Sequence, residues 1–143
     1  MIPAFNGIQL SDEITILDIC FGLGFNTLAT IHYIQREKIS TKLRIYSPEL
    51  DSKLISSLKD FTYPQEFQGL ESLIDMLVDT GFYSDEYLHV ELFTGDAREY
   101  IRTFPDHFFD IVYQDAFSPA VNPILWTQEY FKDIRRILKR NGI

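Results

Sequence analysis

Thr15-Ile-Leu-Asp-Ile-Cys-Phe-Gly-Leu-Gly-Phe-Asn-Thr27 is the stretch that decides the fold. An apolar run, Ile14 to Ile19, is broken only by Thr15 and Asp18. It opens into Gly22-Leu-Gly24, and a helical pattern follows from Thr27. Strand, glycine turn, helix is the entry to a nucleotide-type site. Glycine lets the backbone come close to a ligand where a Cβ would collide. The helix N-terminus adds free N–H groups and a partial positive charge. The spacing Asp18-x-x-x-Gly22-x-Gly24 lacks the third glycine of the dinucleotide fingerprint G-x-G-x-x-G, and no P-loop lysine follows. An ordinary two-glycine βα turn remains the alternative at this point.

Working outward, the totals restrict the class. The chain has 143 residues, enough for one domain with a modest core. Residues 1–13, with Pro3 and Gly7, read as a lead-in, and residues 14–143 as the domain. At 45% hydrophobic and 24% charged residues the composition is that of a soluble globular protein. No apolar run reaches membrane-spanning length, and the N-terminus lacks the basic-then-apolar order of a signal peptide. No membrane association is therefore expected. A single cysteine excludes an intramolecular disulfide and a cysteine-cluster metal site, and fits a cytoplasmic protein. No metal is expected. The net charge of −8 argues against a generic nucleic-acid coat. Five basic residues do cluster late, at Lys132, Arg135, Arg136, Lys139 and Arg140. A solvated helix face near a C-terminus accounts for them better than an RNA contact.

Strands and helices alternate along the chain. Thr15–Cys20, Leu43–Ser47, Leu88–Thr94 and Phe108–Gln114 read as strands. Helices are expected over Thr27–Lys38, from Asp51 to about Lys59, over Gln68–Thr80 with Gly81 as its stop, and briefly after Asp96. A last helical stripe runs through Trp126, Tyr130, Phe131, Ile134, Ile137 and Leu138, and Ile143 would begin another strand. This alternation implies an α/β fold with a doubly wound, mostly parallel sheet. Ending there leaves one sheet edge uncovered, so C-terminal strands of the domain are expected to be missing.

Ligands in such sheets bind beyond the carboxyl ends of the strands. Asp18, Glu49, Asp96 and Asp115 all fall at or near those ends. Singly, each reads as a cap or turn residue. Together they fit an adenosine ligand, one acid accepting from a ribose diol and another from an adenine amino group.

The glycine turn resembles motif I of class I S-adenosylmethionine (SAM) methyltransferases, E/D-x-G-x-G-x-G, with Cys20 in place of its first glycine. Asp115-Ala-Phe-Ser-Pro-Ala-Val-Asn-Pro-Ile-Leu-Trp126 resembles the D-G/A-F-S/A-P-x-x-N-P-x-L/M-W segment of the MnmC-like methyltransferases, which modify the aminomethyl group on a tRNA wobble uridine. Asp18 to Asn26 matches that family's acid followed by x-G-F-G-T-G-x-N, with Cys20 and Leu23 as departures. The resemblance runs from about Thr15 to Ile143 and is poor between about Asp51 and Leu88.

This resemblance implies a Rossmann-like class I methyltransferase fold with SAM as cofactor and tRNA as partner. It implies a cofactor set of Asp18, Gly22, Gly24, Asn26, Glu49, Asp96 and Ala97. Gly22 and Gly24 would lie beside the methionine part, Glu49 would hold the ribose, and Asp96 the adenine edge. Asp115 would be the catalytic residue, beside the sulfonium and the incoming amine. Phe117, Asn122 and Trp126 would face the substrate, although core packing accounts as well for the aromatics and for Tyr113. The FAD-dependent oxidase half of some relatives, and with it FAD, is not expected in this chain. Two alternatives stay open: another SAM-family enzyme acting on a small molecule or transferring an aminopropyl group, and a shortened, non-catalytic binding module.

Overall fold

Alternation along the first strand sets the two faces of the sheet. In β1 (Glu13–Ile19), Ile14 and Ile16 join one apolar cluster while Leu17 and Ile19 join another, and all four are fully buried. A strand buried on both faces must be covered by helices on both faces. The computed structural model, which describes residues 12–116 and 120–143, shows that arrangement.

Among the described residues the sheet has five strands, in the order β3-β4-β2-β1-β5. β2 (Lys42–Glu49) and β5 (Ile111–Gln114) flank β1 in parallel, with Ile16 opposite both Ile45 and Ile111. β4 (Leu88–Thr94) lies parallel on the far side of β2. β3 (Phe82–Ser84) pairs antiparallel with β4 and makes the sheet mixed. One face is covered by α1 (Phe25–Arg36), through Leu28, Ile31 and Ile34, and by α3 (Glu71–Thr80), through Leu73, Ile74 and Leu77. The other is covered by α4 (Ala97–Ile101) and α5 (Gln128–Ile137), with Tyr100, Ile101, Tyr130 and Ile137 against Leu17, Ile19 and Tyr46. This is the doubly wound, mostly parallel sheet of the expected Rossmann-like fold. No helix among the described residues is long and apolar enough to cross a membrane.

Several boundaries differ from expectation, each for a local reason. α1 starts two residues before Thr27 because Gly24 serves as its N-cap at φ 83°, its carbonyl accepting from Leu28 N–H at 2.9 Å. α3 starts at Glu71, because Gln65–Leu70, which contains Gly69, winds as a 3₁₀ helix. Asp51 caps α2 (Ser52–Ser57) as expected, accepting from the N–H groups of Lys53 and Leu54. Trp126 is not helical with α5: Pro123–Trp126 is a 3₁₀ turn, and Thr127 caps α5 by accepting from Tyr130 N–H. β3 was not legible, since three residues carry no period. Ile143 forms backbone bonds to Asp110 and Val112 on the outer edge of β5, in the parallel sense expected of it.

Successive strands step outward from β1 through β2 to β4, and the chain then returns to place β5 on the other side of β1. The crevice between the carboxyl ends of β1 and β5 is the topological switch point, where ligands of such sheets bind.

Candidate active site

Asp18 ends β1 on the α1 face and is 1% exposed. Its carboxylate accepts from Thr27 Oγ1 at 2.9 Å and from Asn26 Nδ2 at 3.2 Å. The same amide nitrogen donates to Asp115 Oδ2, also at 3.2 Å. One side chain from the first turn of α1 thus joins an acid from β1 to an acid just after β5, across the switch point.

Glu49 closes the other side. Its carboxylate accepts from Gly22 N–H at 2.9 Å and from Asp51 N–H at 3.0 Å. Its carbonyl accepts from Gly95 N–H at 3.0 Å, which ties the loops after β1, β2 and β4 together. Cys20 lies among these acids. Burial, together with the carboxylates of Glu49, Asp115 and Asp18, pushes its thiol up to about 11. Cys20 also has φ 65°, the left-handed region that favours glycine, at the position where motif I carries its first glycine. Among the described residues, none of the three acids pairs with a lysine, arginine or histidine.

Asp96 stands at the start of α4 and accepts from Arg98 N–H at 2.8 Å. The Arg98 guanidinium also grips it, with Nη2 to Oδ2 at 2.7 Å, and holds its carboxyl below the usual carboxylate range. Ala97 is buried beneath this turn. Asn122 precedes the 3₁₀ turn, with its carbonyl accepting from Leu125 N–H. Trp126 is half-buried against the α4–α5 core and meets Phe131 edge-on at 6.0 Å. Tyr113 packs into the α1-side core. Phe117 lies outside the described residues. The structure therefore brings Asp18, Gly22, Asn26, Glu49 and Asp115 into one constellation. Asp96 and Ala97 lie at the next strand end.

The family profile of the S-adenosyl-L-methionine-dependent methyltransferases matches residues 71–143, just over half of the chain. The chain belongs to that family. It is 28% identical over 130 residues to Uncharacterized protein MJ0670 of Methanocaldococcus jannaschii, covering 90% of this chain and 35% of that protein. It is 26% identical over 163 residues to the tRNA 5-methylaminomethyl-2-thiouridine biosynthesis bifunctional protein MnmC of Aeromonas hydrophila, covering 96% of this chain and 23% of MnmC. It is 25% identical over 142 residues to the polyamine aminopropyltransferase of Prochlorococcus marinus, covering 99% of this chain and 42% of that protein. The crystal structure of MNMC2 from Aquifex aeolicus superposes with a TM-score of 0.78 at 28% identity, over 92% of this chain and 41% of the other. The chain thus spans less than half the length of each of these relatives.

The residues present fit the cofactor of this family. It carries a sulfonium and an ammonium, and the crevice offers the carboxylates of Glu49 and Asp115, which pair with no cation among the described residues. At Gly22 the nearest atom to a built Cβ is Cys20 O at 3.9 Å, so the turn leaves open space that a side chain would fill. A separate cavity of about 380 Å³, lined by Ile34, Lys38, Leu43 and Tyr87 among others, contains none of these residues.

Two residues of the candidate site escaped sequence reading. Thr27 was read only as a helix start, yet its hydroxyl holds the buried Asp18; a hydroxyl one turn into a helix after an acid-ended strand was the available signal. Gln114 was read as strand. Its amide donates to Leu125 O at 3.0 Å and accepts from Tyr130 O–H at 2.6 Å, which fixes the chain on both sides of the Asp115 loop.

Asp18 makes the stability of the chain pH-dependent. Burial raises its carboxyl from 3.8 to about 7. Between those values the folded chain keeps a proton that the unfolded chain has released, so this contribution to stability is full below pH 4 and is lost as pH rises to 7. Asp18→Asn cannot ionise. The melting temperature of the native chain relative to Asp18→Asn is therefore expected to fall from pH 4 to 7 and then level off. Parallel melting curves across that window would refute it.

Proposed function

We propose that this methyltransferase transfers the methyl group of SAM to the amine of an aminomethyl group on the wobble uridine of tRNA. The observation that carries the chemistry is the Asn26 amide held between Asp18 and Asp115. It aims a carboxylate at the switch point and fixes its orientation. The acceptor is supported by the Asp115–Trp126 segment and by the likeness to MnmC and MNMC2.

The cofactor, when bound, supplies an electrophilic methyl group on a sulfonium. Glu49 is assigned to the ribose, Asp96 and Ala97 to the adenine, Gly22, Gly24 and Asn26 to the methionine part, and Asp18 to the floor beneath it. An amine of lysine-like pKa arrives mostly protonated. Asp115 orients that ammonium and accepts its proton, and as an exposed residue it can release the proton to water. Asn26 keeps Asp115 in place, so the amine meets the methyl in a fixed geometry. Asn122, Trp126 and Phe117 are assigned to the base, which must leave the anticodon stack.

A second reading is aminopropyl transfer, favoured by the aminopropyltransferase likeness over nearly the whole chain and by a site of acids that suits a polyamine. Calorimetry with SAM and with decarboxylated SAM, followed by assays on tRNA lacking the modification and on a diamine, separates the two. SAM binding with methylation of the tRNA is expected. Preference for decarboxylated SAM with transfer to the diamine would overturn the proposal.

A further inference from the structure

The structure divides the late basic cluster, which lies on α5 and just beyond its end. Arg136 is consumed inside the fold: its guanidinium donates to Asp106 Oδ1 at 2.8 Å and to the carbonyls of Phe104 and Ile101. Lys139 pairs with Asp110 at 2.9 Å. Lys132 and Arg135 are exposed and have no ion pair among the described residues. They stand three residues apart on α5, so they project from one face, together with Gln128 and the 40%-exposed Phe131. Buried Tyr130 and Ile137 occupy the opposite side. The adjoining turn exposes Val121 and Ile124, at 64% and 43%. Of the exposed large apolar side chains of the described residues, three therefore fall within residues 121–131.

The apolar part of this surface, Val121 and Ile124, lies on the connection that leads from Asp115 into α5, and that connection is held to β5 from its buried side. Gln114, the neighbour of Asp115, bonds directly to Leu125 and Tyr130. Lys132 and Arg135 lie about 6 and 10 Å along the helix axis from Gln128, given a rise of about 1.5 Å per residue. In a chain of net charge −8, a phosphate backbone needs such a local cationic strip, and Glu129 is the acid one turn before Lys132. Aromatic and cationic groups on one face suit an RNA loop, in which unstacked bases meet rings while phosphates meet cations.

We infer that the outer face formed by Ile124, Phe131, Lys132 and Arg135 is the docking surface for a single-stranded RNA loop, presenting its base to Asp115. This rests on the tRNA reading above. The test is fluorescence-anisotropy binding of an unmodified anticodon stem-loop RNA to the full chain, over a range of salt. Lys132→Glu/Arg135→Glu, with the milder Lys132→Ala/Arg135→Ala alongside, is expected to weaken binding by about tenfold or more and to flatten the logarithmic salt dependence by about 0.7 per lost contact. SAM affinity and the melting temperature should not move, since both side chains are exposed. RNA affinity unchanged in both pairs, or no RNA binding by the native chain, would overturn the surface; self-association broken by the same changes without loss of RNA affinity would make it a protein interface instead. RNA binding that follows this pattern without methylation of the tRNA would sink the wobble-uridine reading and leave the surface standing.

Discussion

Asp115→Ala is expected to lower methyl transfer by about a thousandfold, within the range of a lost general base, and to leave SAM affinity within a few-fold of native. The two readouts separate because of where Asp115 sits. It is exposed, it follows β5, and its described bond is to Asn26 Nδ2 rather than to the glycine turn. Removing it leaves Asp18 and Glu49 with their own donors, Thr27, Gly22 and Asp51. The cofactor side of the crevice stays intact, whereas the amine loses the group that orients it and takes its proton. Asp115→Asn keeps the shape without the charge and should be nearly as slow. Native rates in either variant would remove Asp115 from the mechanism. Equal loss of SAM affinity and rate would instead make it a cofactor ligand.

The outline of the fold was legible because buried parallel strands leave runs such as Ile14–Ile19, and helices leave i, i+3 spacings such as Leu28, Ile31 and Ile34. The strand-end acids were legible for the same reason: once the strands are placed, so are their carboxyl ends. Sequence position does not say what else an acid touches. Asp96 shows this, since its carboxylate is bound by Arg98 two residues on. Asn26 shows the converse: the sequence assigns it to the cofactor, but its bond to Asp115 spans 89 positions and needs the β1–β5 pairing to exist. The division of the late basic cluster was equally hidden, because the partners Asp106 and Asp110 come from the segment before β5. Cys20 reads as a departure from the motif in sequence. In the structure it obeys the backbone requirement, with a left-handed φ, while breaking the residue preference.

The two turn glycines should fail in different ways. A Cβ at Gly24 would sit 2.7 and 2.9 Å from ring atoms of Phe21, and Gly24 has φ 83°. Phe21 is 3% exposed and its N–H is bonded to Pro48 O, so the ring has no room to retreat. Left-handed backbone in an L-residue costs about 1–2 kcal/mol, and overpacking a core about 1–3 kcal/mol. Gly24→Ala is therefore expected to lose about 2–5 kcal/mol, a large share of the about 5–15 kcal/mol that holds a domain together. Its loss of SAM binding would follow from loss of the fold. Gly22 is also left-handed, at φ 58°, but the nearest atom to its built Cβ is 3.9 Å away. Gly22→Ala should cost only the backbone term, about 1–2 kcal/mol, and still fold. Its methyl group would enter the space beside Glu49 and Cys20, so SAM affinity should drop by about tenfold or more, for about 1.4 kcal/mol of lost contact. Thermal melting and calorimetry on the same two samples decide the matter. If Gly22→Ala melts near native and binds SAM at native affinity, the glycine turn is a packing device and not the wall of the cofactor site.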